Sequence, residues 1–265
     1  MTATSKSAFY CKTCSDVTFN NTGTMTSGNN AVVISNGDNI SVTNSGTITA
    51  TTDNSGLSIN QSDGTVVTNT GTISGVDHGM QSSNVDNSTI TNLGTISASS
   101  NTGYGILYEN DGTNRVNNTL NNYGTIIATS GSLADGIGIG RNANPMFNIT
   151  INNYGTISGS DDSIKMLNSS NTGINIVTKG DGTYVGEINL NDSSTTMTLD
   201  CSISKDQKIE IHNKTNMVVT NNLCGNDTYE ILDSNSDADA DNSETNGFLY
   251  VYGEDLDIDS HNKKY

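Results

Sequence analysis

The chain has 265 residues and a formal net charge of −17, from 28 acidic and 11 basic side chains. That balance argues against nucleic acid and against anionic membrane surfaces as partners. Only 32% of the residues are hydrophobic and 5% aromatic, with no Trp, which is little material for a sphere-like core but enough for stacked coils that each bury a thin aliphatic line.

In chain order, residues 1–15 come first. Residues 1–10 are too polar for a secretory hydrophobic region, and no stretch of the chain approaches the length of a transmembrane helix. Cys11-x-x-Cys14 lacks a second pair at finger spacing, so it is an unspecific zinc or redox signal. This segment is expected to cap one end and protect open sheet edges.

Residues 16–200 carry the repeat. Asn-x-Gly-Thr-Ile recurs six times, once with Met for Ile, beginning at Asn21, Asn44, Asn69, Asn92, Asn122 and Asn153. The motif glycines are spaced 23, 25, 23, 30 and 31 residues apart, a period that signals a stacked-repeat architecture. Two positions before each Asn stands an apolar residue: Phe19, Val42, Val67, Ile90, Leu120 and Ile151. Each unit thus reads as a period-two strand with a corner at Asn-x-Gly, where Gly and Asn tolerate left-handed backbone angles. A second strand follows in each unit, as in Ala31–Ile34, Gly56–Ile59 and Gly105–Tyr108, separated by turn-forming residues. Strands pairing with their counterparts one coil away, through crossovers of the usual hand, give an all-β fold: a right-handed parallel β-helix, a solenoid with irregular C-terminal coils. Eight or nine coils at about 4.8 Å each make a rod about 40 Å long. Stacked motif Asn residues can form an amide ladder, and the motif Thr residues an outer hydroxyl ladder.

The two longest units hold insertions with both arginines, Arg115 and Arg141, and with Tyr104 and Tyr108. Tyr123 and Tyr154 share one motif position on successive coils and are expected to stack outward. Tyr104, Tyr108, Arg115, Tyr123, Arg141 and Tyr154 are therefore the candidate ligand-contact residues, because aromatic and Arg side chains on a polar face make good contacts. The alternative is that tyrosine simply suits a strand edge.

Residues 201–265 read as C-terminal coils, an acidic loop and a tail. Cys201 and Cys224 are 23 residues apart, the shortest repeat length in the chain. Equivalent positions on adjacent coils lie about 4.8 Å apart, inside disulfide range. A bridge, free thiols and a metal site are the readings open for this pair, and a bridge would imply an oxidising compartment. Asp233, Asn235, Asp237, Asp239, Asp241 and Glu244 place oxygen donors at positions 1, 3, 5, 7, 9 and 12 of an EF-hand-like calcium loop. Ala238 stands where the sharp turn wants Gly, and the flanks are not amphipathic helices, so a solvated acidic loop competes with the Ca2+ site.

The Asn-x-Gly-Thr-Ile units, followed by Gly182-x-Tyr-Val-Gly-Glu-Ile-x-Leu190 and Thr196–Leu199, resemble the passenger region of bacterial autotransporters over about residues 16–252. Asp227–Leu232 with Phe248–Tyr252 resembles the end of a passenger just before the translocator barrel. The resemblance implies the surface of a Gram-negative bacterium, or secretion from it, an outer-membrane barrel that this sequence does not contain, and an adhesive role toward surface glycans or receptors on a host or neighbouring cell. Catalytic signatures are missing: no Ser-His-Asp pattern, P-loop or HExxH occurs, and the three His are widely spread. Asp161-Asp162 reads as a solvated turn and Glu109 with Asp111 as no catalytic pair. The expected role is binding without catalysis or obligate cofactor. A polysaccharide-active β-helix and a purely structural spacer rod are the competing functions.

Overall fold

The structure is a computed structural model, described here for residues 1–3, 6–110, 115–128, 130–141, 144–204, 207–225, 227–233 and 247–252. Among these residues there is no helix, and the strands stack as a parallel solenoid. Each full coil contributes three short strands, giving the rod three faces.

Face one is a 9-stranded parallel sheet. Its strands begin with Thr18–Asn21, Ser41–Asn44, Val66–Asn69 and Thr89–Asn92 and end with Ser194–Leu199 and Met217–Asn221. Face two carries the Thr-Ile half of each motif, as in Thr24–Ser27, Thr47–Ala50, Thr72–Gly75, Thr95–Ala98 and Thr125–Ala128. Face three runs through Phe9–Lys12, Val32–Ser35, Ser55–Asn60, His78–Ser83, Tyr104–Glu109 and Asp135–Arg141 to Gln207–His212. Faces two and three merge where Thr156–Met166 runs through their shared corner.

The repeat sets the register. Ile48, Ile73, Ile96, Ile126 and Ile157 pair in one continuous column on face two. Val42, Val67, Ile90, Leu120 and Ile151 form the facing column on face one. All ten are at most 1% exposed, so the core is a strip of branched aliphatic residues rather than a ball.

The motif Asn residues form the expected ladder, but neither they nor the motif glycines serve as left-handed corners. None of the six motif glycines, and none of the motif asparagines, has a positive φ. The left-handed residues sit elsewhere, for example Asn36, Asn39, Asn84 and Asn87 in the turns between faces three and one. Glycine is required at the motif corner because coils approach closely there. A Cβ on Gly46, Gly71, Gly94, Gly124 or Gly155 would lie 2.0–2.1 Å from the carbonyl oxygen of the motif glycine one coil earlier. Asparagine is required for the ladder. Asn21 Nδ2 donates to Asn44 Oδ1 at 2.8 Å, and the same bond repeats from Asn44 to Asn69, Asn69 to Asn92, Asn92 to Asn122 and Asn122 to Asn153, at 2.8–2.9 Å. Each of these amides, buried from water, therefore finds its partner inside the rod. The motif Thr residues stack in register on the outside, and Thr156 and Thr183 hydroxyls lie 3.0 Å apart.

Both ends depart from the regular coil. Residues 1–15, expected as a cap, add strands to two faces: Thr2–Ala3 pairs with Thr26 and Ser27, and Phe9–Lys12 pairs with Val32–Ser35. Cys11 and Cys14 form a disulfide there. At the other end Gln207–His212 pairs antiparallel with Gly247–Tyr252, which pairs antiparallel with Thr228–Asp233. Period-two alternation is identical for parallel and antiparallel strands, so sequence alone does not reveal this reversal. Cys201 and Cys224 are disulfide-bonded, with Cα atoms 4.8 Å apart, which is the reading that adjacent-coil spacing allowed.

Candidate functional site

The strongest outward feature follows the x position of Asn-x-Gly. Backbone bonds place Leu93, Tyr123, Tyr154 and Lys179 at the same corner on four successive coils, each donating its N–H to the carbonyl of Asn69, Asn92, Asn122 and Asn153 respectively. The Tyr123 and Tyr154 rings stack with centroids 4.5 Å apart and planes 12° apart. Lys179 Nζ stands 5.3 Å from the Tyr154 centroid, and Asp200 Oδ2 lies 4.0 Å beyond the ammonium. Leu93 and Tyr123 are about half exposed, at 51% and 50%. An aliphatic, two aromatics and a cation thus make a strip along the rod in which the two tyrosine rings cover each other's facing sides.

Tyr104 and Tyr108 do not join this strip. Tyr104 lies half-buried on face three, its ring 5.4 Å from that of His78 and seated over Gly138, where a Cβ would come within 2.6 Å of it. Tyr108 points inward and is 0% exposed, which removes it from any outer contact surface. Its position pairs with Ser82 and Ile139, an inward column that alternation from Ile106 already specified. Burial pushes its phenol well above the ordinary range. Arg115 and Arg141 lie in strands of faces one and three, where their backbones pair with Met146 and Glu109. In the acidic loop, Asn235, Asp237, Asp239, Asp241 and Glu244 lie outside the described residues, and Asp233 is described by its backbone pairing with Gly247.

A second polar site was not anticipated. Register on face three stacks Tyr104, Asp135, Asp162 and Glu187 on four successive coils. Lys165 Nζ lies 2.7 Å from Asp161, 2.9 Å from Asp162 and 3.6 Å from Asp135. Asp161-Asp162 is therefore half of an ion cluster rather than a solvated turn, with Asp135 and Asp162 only 1% and 2% exposed. Burial pushes the Asp135 carboxyl up to about 6 against the opposing pull of Lys165, and burial raises Asp162 as well. The three acids have the geometry of a cation site, and the cation they hold is the Lys165 ammonium. One coil further, His212 bridges two carboxylates, with Nδ1 2.8 Å from Glu187 and Nε2 3.5 Å from Glu210. These three side chains are half-exposed and their ligand atoms lie within 4.8 Å of one another, so they could hold a metal ion. The signal for the cluster is present in the sequence: Asp135-Gly-Ile137 and Asp162-Ser-Ile164 place an acid two residues before a core Ile. Uneven unit lengths hide it.

Glu109, read as no catalytic residue, is buried and accepts hydrogen bonds from Gln81 and Ser83. A groove lined by Gly182, Thr183, Tyr184, Gln207, Lys208 and Ile209 encloses about 180 Å3. That is below the roughly 300–1,000 Å3 usual for small-molecule sites. No protein-family model, curated protein or solved structure matches the chain.

Proposed function

We propose that this chain is part of an extracytoplasmic β-helical passenger that binds surface glycans along the Leu93–Tyr123–Tyr154–Lys179 strip. The observation that carries the reading is the stacked Tyr123–Tyr154 pair at the corner, with Tyr123 half exposed. A polymer running along the rod meets both tyrosines in turn at their ring edges and phenol hydroxyls, which supply apolar contact and hydrogen bonds to a sugar. The Cys11–Cys14 and Cys201–Cys224 bridges support an oxidising location outside the cytoplasm. The polar, Asn- and Thr-rich faces and the resemblance to autotransporter passengers support the surface of a Gram-negative cell. Cleavage chemistry has less support, because Asp135 and Asp162 are buried and neutralised by Lys165, out of reach of a polymer.

The test is a glycan panel read by binding to the purified chain, repeated with Tyr123→Ala/Tyr154→Ala. Loss of two stacking rings should weaken binding at least about tenfold while leaving thermal unfolding nearly unchanged. Tyr104→Ala, on another face, should bind as the parent does. Absence of glycan binding, or equal binding by the double variant, would remove this reading.

A further inference from the structure

One motif glycine is not required by anything around it. The other five are forced by the preceding coil's carbonyl at 2.0–2.1 Å, but a Cβ on Gly23 would meet nothing within 4 Å. Its φ is not positive either, so neither contact nor backbone angle calls for glycine. Asn21 is in the same position. Asn44, Asn69, Asn92, Asn122 and Asn153 each receive an amide from the coil before. Asn21 Oδ1 instead takes the Gly23 N–H of its own corner, at 3.3 Å. Both residues belong to Thr18–Asn21 and its corner, the terminal strand of the 9-stranded face, whose outer backbone edge pairs with no strand among the described residues.

The other two faces of this coil are already covered. Thr2 pairs with Thr26 and Ala3 with Ser27, which sets Met1 over Met25, the apolar position of the motif. The terminal ammonium donates to Thr24 O at 2.6 Å, and Met1 O accepts Thr26 N–H at 2.9 Å, the bonds of a parallel ladder. Met1 is 75% exposed where Met25 is 9% and Ile48 0%, as the outermost member of a core column would be. The sequence agrees with this register. Met1-Thr-Ala-Thr-Ser5 matches Ile48-Thr-Ala-Thr-Thr52 and Ile96-Ser-Ala-Ser-Ser100, the segments that directly follow Asn-x-Gly-Thr.

We propose that Thr18–Asn21 and the Asn21–Gly23 corner are the docking edge for one further strand ending in Asn-x-Gly-Thr, and that this strand is covalently continuous with Met1. The edge specifies its occupant. The incoming Asn donates its amide to Asn21 Oδ1, the incoming glycine carbonyl accepts the Thr24 N–H and rests against the bare Cα of Gly23, and an apolar residue two before the Asn covers Phe19. A second copy fits poorly. Head to head it would set acceptor Oδ1 against acceptor Oδ1, and head to tail it would bring Met217–Asn221, in which Asn221 is followed by Leu223 and Cys224 where this edge takes Gly-Thr.

The experiment places Ser-Val-Thr-Asn-Ser-Gly-Thr, the sequence of residues 41–47, immediately before Met1 of the full chain. The extension should raise the melting temperature by roughly 3–6 °C and slow hydrogen exchange at the Thr22 and Thr24 amides. Gly23→Ala should leave the unextended chain unchanged and abolish the gain in the extended one, because the new carbonyl then meets a Cβ. Equal stabilisation by a scrambled extension, or a gain that survives Gly23→Ala, would overturn the proposal. So would a dimer of the unextended chain that protects the same amides, since it would assign the edge to a second copy. Mass spectrometry of the protein from its own cells should find residues ahead of Met1 that end in Asn-x-Gly-Thr. A native N terminus at Met1 would overturn the continuity.

Discussion

The coils from Asn21 to Asn153 and those after Asn153 solve the same stacking problem in different ways. In the first region the motif Asn, Gly and Thr recur on every coil, and the buried polar position is a continuous amide ladder. Beyond it, the ladder position holds Thr178 and then Leu199, and the motif Ile is replaced by Tyr184. The Tyr184 hydroxyl closes the ladder against Thr178 Oγ1 at 3.1 Å and Asn153, and burial pushes its phenol up to about 12. From there the coils are tied by particular pairs: Lys165 with three Asp, His212 with two Glu, and the Cys201–Cys224 bridge. Repetition allows weak identical bonds to add up, whereas divergence must be held by fewer and stronger ones.

The comparison is tested most severely in the core of the first region. Ile96→Asp puts an unpaired carboxylate between Ile73 and Ile126, at a cost of at least several kcal/mol. Chemical denaturation should show the flanking coils lost, and an unchanged midpoint would mean that this column is not the core.

In the second region the largest effect is expected at Lys165. Lys165→Met leaves Asp135 and Asp162 buried without their cation, which should cost about 3–5 kcal/mol near neutral pH. The loss should depend on pH with a definite sign. Both carboxyls have folded pKa values raised above their unfolded ones, so the folded state binds these protons more tightly. Their contribution to stability is therefore present at low pH and falls as pH rises, for Asp135 through about 6. Without Lys165 the acids rise further, and the variant should be closer to the parent at pH 5 than at pH 8. An equal deficit at both pH values would assign Lys165 a packing role instead.

The smallest effects compare the ladder with its closure. Asn92→Ala interrupts the column on both sides, which should cost about 2 kcal/mol by removing partners from Asn69 and Asn122. Thr178→Ala removes one hydroxyl contact at the end and should cost about 1 kcal/mol. Equal costs in urea unfolding would show that the amides do not act as a column.

What was legible in the sequence follows the same division. The period, the aliphatic columns and the stacked Asn could be read because identical residues recur at fixed offsets. The reason for the motif glycine could not, since a tolerated φ and a close carbonyl both select glycine, and only the coil-to-coil approach at Gly46 or Gly71 decides between them. Tyr108 was misplaced although Ile106 two residues earlier marks its inward phase. Asp135 and Asp162 were not joined because they are distant in sequence and the intervening unit is irregular. The tail strand Gly247–Tyr252 reads as the end of a passenger, but its antiparallel pairing is not legible, since alternation carries no strand direction.

Uniform rungs also make the boundaries between units interchangeable. Gly46 and Gly71 are 25 residues apart and meet equivalent neighbours above and below. Excising residues 48–72 would join Thr47 to Ile73 and restore an intact motif, shortening the rod by one rung while both ends stay as they were. Unequal recombination within the coding repeats would have the same outcome in either direction. Length is thus a quantity that descent can tune by copy number, independently of the corner strip and the C-terminal closure.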